Sequence, residues 1–454
     1  MSLKAILFIL AFVGCAAGAL AVPLLGVLGY AGVYCVGPDT QWWNAPLRVL
    51  GIRYSYVLAL VTAVGIAINW RRLEFRKPLL LSQEKLLLVF LAVVWLSLLI
   101  GEPTVGRYEK WDHPSLKVTK IAVFTMMLTH VVGNRDRLKW FLWVLVGGAL
   151  LLGLRAFTMS RSAFSGGRLE GIGGPDFVEA NYFGAFCATM VPLIGVQFLR
   201  TGWLGRALCL AAGVFTVNAI VLTRSRGAVV GLALGAVVAA MGAPKKHRVK
   251  IILGMVVVLI GGLRLADPQF ISRTATITSG EESRDASAQS RIVLTEGGLR
   301  MLADHPLGIG AGNWYQTVGR YLPQYPGKDA HNAYMKCVCE LGIQGALVFV
   351  ALIVNAFWTL RKVLRQVDRL PAALRGDVTY LAFGIMVSLA VLLGCCLTMT
   401  LLYVEFLWWI LMLPVCLERV VASLEADHGL LEEVGGEQTV SVRVRAREPA
   451  PYRT

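Results

Sequence analysis

A series of apolar segments, separated by charged connections, constrains the fold of this chain more than any other feature. No charged residue occurs in 5–22, 54–70, 86–100, 141–154, 207–222, 229–240 or 251–262. A helix needs about 20 residues to cross the hydrocarbon layer of a membrane, and several of these segments reach that length with their flanks. A soluble domain is typically ~45–50% apolar even with Gly counted, whereas this chain is 56% apolar without it. The pattern predicts an all-α integral membrane protein.

Basic residues are concentrated in every second connection between the apolar segments. They are Arg71, Arg72, Arg76, Lys77 and Lys85; Arg135, Arg137 and Lys139; Arg200 and Arg206; Lys245, Lys246, Arg248 and Lys250; and Arg361, Lys362, Arg365, Arg369 and Arg375. Cytoplasmic loops of membrane proteins carry such an excess of Lys and Arg. The net charge of +16 therefore reports orientation in membrane lipid, and we do not expect nucleic acid as a partner.

The alternation of basic and non-basic connections predicts about 12 transmembrane helices. The stretch 5–36, which Pro23 and several Gly interrupt, is either one kinked crossing or two short helices. With Lys4 in the cytoplasm it crosses once in net terms, and both termini are then cytoplasmic. The predicted parts are a transmembrane bundle over 1–264, a large, partly helical loop on the outer side over 265–340, further transmembrane helices over 341–417, and a cytoplasmic tail, predicted to be disordered, over 418–454.

Three histidines fall on the outer side, His113, His305 and His331. His331 lies at the outer mouth of a predicted transmembrane helix, where a neutral imidazole can take a proton from a hydroxyl near neutral pH. The alternative is a packing role. His305 opens the segment 305–312, in which three alternating Gly allow a tight backbone. That segment resembles a dinucleotide fingerprint only superficially, because no buried strand precedes it and its spacing differs.

Arginines gather on the same side. Arg224 and Arg226 occupy a short turn between two predicted spans, and Arg168 lies in a Gly- and Ser-rich connection. Charged groups at membrane depth are costly unless they line a cavity or pair with an anion, and guanidinium groups bind phosphate bidentately. Ion pairing or snorkelling at the interface is the alternative. The acidic residues of the outer side are scattered and are not grouped as ligands of a hard cation, so we predict neither a metal nor a cofactor.

The order of these motifs resembles the O-antigen ligase and polymerase superfamily of bacterial inner-membrane glycosyltransferases, over roughly residues 50–420. The residues that carry the resemblance are Arg168 ahead of Glu179-Ala180-Asn181, the turn Ser225-Arg226-Gly227, the segment His305-Pro306-Leu307-Gly308-Ile309-Gly310, and His331-Asn332 followed by Glu340, Gly342 and Gly345.

The resemblance implies transfer of a glycan from undecaprenyl diphosphate to an acceptor hydroxyl, such as one of lipid A core, at the periplasmic face. It implies that His331 is catalytic and that Arg168, Arg226 and Arg291 bind the diphosphate; Arg224 and His305 are further candidates for substrate binding. A polymerase of glycan repeats is the nearest alternative. A lipid-linked glycan transporter would need polar groups at the membrane midplane, whereas here they crowd the outer ends.

Overall fold

The computed structural model describes residues 2–73, 78–103, 112–243, 248–275 and 286–445. Its helices are α1 (Leu3–Ala21), α2 (Pro23–Val36), α3 (Ala45–Arg48), α4 (Tyr54–Ile68), α5 (Ser82–Ile100), α6 (Pro114–Val131), α7 (Arg135–Thr158), α8 (Ala180–Arg200), α9 (Trp203–Thr223), α10 (Arg226–Gly242), α11 (Arg248–Leu265), α12 (Pro268–Ala275), α13 (Ala286–Asp304), α14 (Trp314–Tyr321), α15 (Ala333–Gln366), α16 (Ala372–Cys396) and α17 (Glu405–Arg445). Two short strands, β1 (Phe164–Ser165) and β2 (Arg168–Leu169), pair antiparallel.

Within the described residues, eight helices are long and apolar enough to cross a membrane, or nine if α11 and α12, bent by 117° at their junction, form one span. Helices α4 and α10 are apolar but shorter. The helical, multi-pass character predicted from the sequence is therefore confirmed, whereas the count of about 12 stays a prediction. Some charged residues of the predicted connections lie outside the described residues. They are Arg76, Lys77, Lys245 and Lys246 of the basic connections, Glu281 and Asp285 of the predicted outer loop, and those of the end of the tail, 446–454.

Helix α17 runs through the centre of the bundle. Its Trp408 packs against Phe90 of α5, and its Trp409 packs against Phe124 of α6. Both indoles are fully buried. The helix continues to Arg445, so the structure has helix over part of the tail for which the sequence predicts disorder.

One end of the bundle collects the basic connections. Arg135 and Arg200 both bind the carboxylate of Asp377, at 3.0 and 2.6 Å, and Lys362 pairs with Glu418 at 2.7 Å. These residues come from five separate helices, α7, α8, α15, α16 and α17. We refer to this as the basic end, and to the opposite end, which carries residues 155–180 and the segment 286–340, as the outer end.

The stretch 5–36 forms a hairpin. Gly29 of α2 packs beside Cys15 of α1, and Gly18 packs beside Leu25, so the two helices run antiparallel. Ala5 clusters with Trp43 and Leu47 at the outer end, and Arg155 binds the carbonyl oxygen of Val36 there. The expectation of one net crossing over 5–36 is therefore wrong, and the alternative of two short helices is confirmed. The side of the membrane on which the N-terminus lies stays a prediction. Pro23 starts a second helix after the break at Val22 instead of kinking one long helix.

Helix α15 is kinked at Gly342, whose φ of 72° is open to Gly but rarely to other residues. The segment 306–310 crosses the kink. Ile309 and Gly310 donate backbone hydrogen bonds to the carbonyls of Cys339 and Glu340, and the amide of Ile343 donates to Pro306. The alternating Gly of the sequence thus serve backbone packing of the outer segment onto α15.

Candidate functional site

His331 lies at the outer end, two residues before α15, in a left-handed backbone conformation with φ 48°. A non-Gly residue with positive φ is uncommon and costs free energy unless its surroundings fix it. Its amide donates to the carboxylate of Asp329 at 3.4 Å, and its Nδ1 lies 3.7 Å from the same oxygen. The turn therefore places the imidazole beside a carboxylate, within ion-pair distance of its nearer nitrogen, Nδ1.

Burial lowers the pKa of His331. The negative charge of Asp329 opposes this shift, whereas the positive charges of Arg291, Lys328 and Arg168 add to it. The imidazole is therefore neutral at neutral pH, which is the state a general base requires.

Asp329 is itself held by several donors. The Thr400 hydroxyl donates to it at 2.6 Å and the Tyr315 hydroxyl at 2.8 Å, while the ammonium of Lys336 lies 3.7 Å away. Burial alone would raise the pKa of Asp329, but Lys336 and the Thr400 hydroxyl hold it below its ordinary value. Asp329 is thus a fixed negative charge beside the imidazole.

Lys336 is almost fully buried, with 3% of its side chain exposed. Its ammonium lies 4.1 Å from the centre of the Tyr315 ring and 4.0 Å from Glu340. Glu340 in turn accepts from the Tyr403 hydroxyl at 2.6 Å and from the backbone amide of Trp314 at 3.1 Å. This network joins α14, α15 and the α16–α17 connection beneath His331.

A cluster of arginines lies near His331, because the charges of Arg168 and Arg291 act on its imidazole. Arg168 on β2 donates to Asn181 at 2.6 Å and to the carbonyl of Thr223 at 3.1 Å, so it is fastened to the α9–α10 turn that carries Arg226. Burial lowers the pKa of Arg168, and the charges of Arg273 and Arg226 lower it further. Like charges that act on one another in this way favour an anionic ligand beside them.

The structure therefore brings together four of the residues predicted from the sequence: Arg168, Arg226, Arg291 and His331. It separates the other two. Arg224 turns towards Asp267 and Gln269 and binds both. His305 directly follows α13 and leads into the segment that packs on Cys339 and Glu340. His331 lies at the start of α15, whereas this segment contacts the helix near its kink at Gly342.

The aromatic residues of the segment 314–325 divide between two roles. Trp314 is fully buried, with its indole N–H donating to the carbonyl of Lys328, so it packs the outer segment. Tyr315 is half-buried and lines a cavity of about 250 Å³ beside the site. The other residues of the cavity wall are Asp112, Pro114, Lys117, Pro175, Asp176, Val178, Glu179, Tyr182, Lys336, Thr400, Tyr403 and Val404.

Three residues of the site do not emerge from the sequence: Asp329, Lys336 and Arg273. Asp329 is two residues before His331, and that spacing was the one available signal. In the sequence, Lys336 is an ordinary charged residue near the start of a predicted helix, and Arg273 is one of several Arg in a long predicted loop.

Residues 211–350 match the family model described as O-antigen ligase. The matched part includes Arg226, the segment 306–310 and His331, whereas Arg168 precedes it. The search of the curated proteins found no match.

Proposed function

Starting from the O-antigen ligase superfamily, which the match over residues 211–350 supports, we propose that this chain is an O-antigen ligase-like glycosyltransferase. It moves a glycan from undecaprenyl diphosphate to an acceptor hydroxyl at the periplasmic face of the bacterial inner membrane. The observation that carries the proposal is a neutral His331 that lies beside the carboxylate of Asp329 and within the electrostatic influence of Arg291 and Arg168, the latter grouped with Arg226 and Arg273.

The reaction breaks the bond between the anomeric carbon and the diphosphate oxygen, and forms a bond from that carbon to the acceptor oxygen. The acceptor loses its proton to His331, and undecaprenyl diphosphate leaves with the bonding electron pair. Guanidinium groups aimed at the leaving oxygens stabilise charge as it develops. We propose that these groups take the place a metal ion would fill, and that Asp329 stabilises the imidazolium that forms.

The histidine role is tested with His331→Ala, measured as transfer rate and donor affinity on folded, monodisperse protein. Loss of a positioned base should slow transfer by about 10²–10⁴-fold, with donor affinity nearly unchanged. His305→Ala is the matched control and should retain turnover. Near wild-type turnover of His331→Ala would make His331 a packing residue.

The arginine role is tested with Arg226→Ala and Arg226→Lys. Both should weaken donor binding as well as transfer, because a single ammonium lacks the bidentate fork of a guanidinium. Arg320→Ala is the matched control, since Arg320 is exposed at the outer end and pairs with Glu102. Donor affinity that is unchanged in both Arg226 variants would contradict a diphosphate site here.

The acceptor class is tested in a deletion strain by analysing its glycolipids. Lipid-linked polymer accumulating beside bare lipid A core indicates a ligase. Products with a single repeat unit indicate that the chain is the polymerase instead.

A further inference from the structure

The cavity beside His331 differs in charge from the arginine cluster. Two ammonium groups, those of Lys117 and Lys336, face three carboxylates, those of Asp112, Asp176 and Glu179. Both ammonium groups are engaged by acid groups: Lys117 binds Asp176 at 2.7 Å, and Lys336 lies within 4.0 Å of Asp329 and Glu340. An added phosphate or carboxylate would meet excess negative charge here, whereas the arginine cluster would attract it.

The buried part of the cavity wall is fixed by hydrogen bonds. Asp176 accepts from the Tyr34 hydroxyl at 2.9 Å and from the Glu405 amide at 3.0 Å, in addition to Lys117. The Thr400 hydroxyl is fixed on Asp329. A preformed set of acceptors, donors and ring faces suits a polyhydroxylated ligand, because sugar hydroxyls can donate to carboxylates and accept from ammonium groups.

The cavity is linked to the proposed base, His331, through the side chain of Asp329. Thr400 and Tyr315 line it, and both donate to the carboxylate of Asp329 that holds His331. Its volume of about 250 Å³ is just below the roughly 300 Å³ at which small-molecule sites begin, so it suits one or two sugar units and not a polymer.

We propose that this cavity binds a neutral sugar ring of the acceptor, next to the hydroxyl that attacks. That the sugar belongs to the acceptor rests on the proposed function, whereas the binding of a sugar rests on the cavity alone. The two charge environments then orient the substrates, with the donor diphosphate on the arginines and the uncharged acceptor sugar on the carboxylate-lined side.

The first test fills the cavity at its mouth with Val178→Trp. Val178 lines the cavity but is 53% exposed, so the larger side chain does not require repacking of the core. Val49→Trp is the matched control, because Val49 is 88% exposed and belongs to the outer end without lining the cavity. We expect Val178→Trp to raise the acceptor KM by more than about tenfold with donor KM unchanged, the signature of lost ground-state binding. A rise in donor KM, or behaviour equal to Val49→Trp, overturns the proposal.

The second test needs no turnover. Saturation-transfer NMR on the purified full chain uses methyl glucoside, methyl galactoside and methyl mannoside as neutral probes and glucose 6-phosphate as the anionic one. At least one neutral probe should receive saturation from the wild type and from Val49→Trp but not from Val178→Trp. The assignment is contradicted if no neutral probe binds the wild type. It is also contradicted if Val178→Trp abolishes the signal of glucose 6-phosphate and of no neutral probe. A chain that transfers no glycan yet shows this pattern would refute the proposed function and leave the sugar site standing.

Discussion

At the scale of single residues, the site depends on a carboxylate that does not touch the substrate in the proposed reaction. Asp329 accepts hydrogen bonds from Thr400, Tyr315 and the amide of His331, so its position is set by three separate parts of the chain. We interpret it as a positioning residue: it selects the tautomer of His331 and stabilises the imidazolium, as carboxylates do for catalytic histidines elsewhere.

Asp329→Asn should change the pH profile as well as the rate. The carboxylate raises the pKa of His331 against the larger effect of burial, so its removal lowers that pKa further. The base is active when unprotonated, so the wild-type rate falls as the pH drops through a pKa below 6.5. In Asp329→Asn this fall should move to still lower pH, while the plateau rate drops by more than about tenfold. The control is Asp304→Asn, whose carboxylate accepts from the Tyr321 hydroxyl. A reduced rate with an unmoved midpoint would mean that Asp329 only supports the fold.

The sequence identifies residues whose chemistry is visible in their type and motif, and misses those whose role comes from packing. His331, Arg168, Arg226 and Arg291 carry a base or a permanent charge in a recognisable order, and the structure places them together. Arg224 has the same charge, yet its own left-handed backbone conformation, with φ 47° at the end of α9, accompanies a side chain that binds Asp267. Nothing in a linear pattern separates Arg224 from Arg226, because the difference is a backbone dihedral set by the turn.

At the scale of elements, the kink in α15 joins the outer segment to the membrane bundle. A Cβ added at Gly342 would lie 2.5 Å from the carbonyl oxygen of Leu307, and φ at this position is 72°. The sequence marks Gly342 and the Gly of segment 308–312 as unusual, but it does not show that the two sets meet. Their contact spans some thirty residues of chain, and short-range periodicity carries no information about it.

Gly342→Ala should destabilise the protein strongly. A side chain in this backbone region costs on the order of 1–3 kcal/mol, and the overlap with Leu307 adds to it. The measurement is the thermal midpoint of purified protein in detergent. Gly376→Ala is the control, because Gly376 lies in α16 with no atom within 4 Å of an added Cβ, and Ala in a helix interior is favoured over Gly by about 1 kcal/mol. Equal midpoints for the two variants would mean that the kink straightens without loss.

At the scale of the whole molecule, the charge pattern of the sequence agrees with the packing of the basic end. Arg135, Arg200 and Asp377 come from connections that the alternation of Lys and Arg places on one side, and they meet in one ion-paired group. The sequence therefore indicates which connections share one end of the bundle, because the bias of Lys and Arg is local to each connection, whereas the side of the membrane on which that end lies stays a prediction. The sequence does not determine the crossing count, since residues 5–36 contain the same apolar composition whether they form one kinked span or a hairpin.

Because residues 5–36 form a hairpin, the side of the membrane on which Leu3 lies tests the topology of the whole chain. Because Ala5 packs with Trp43 and Leu47 at the outer end, a cysteine at the exposed Leu3 should react with an impermeant thiol reagent in intact spheroplasts. Gln289→Cys, on α13 of the outer segment, should also react, whereas Asp368→Cys at the basic end should react only after lysis. The unmodified chain supplies the background, and its native cysteines are all at least partly buried. Protection of Leu3→Cys together with labelling of Gln289→Cys would restore a single net crossing for 5–36. Protection of Gln289→Cys with labelling of Asp368→Cys would reverse the orientation, and with it the periplasmic placement of His331.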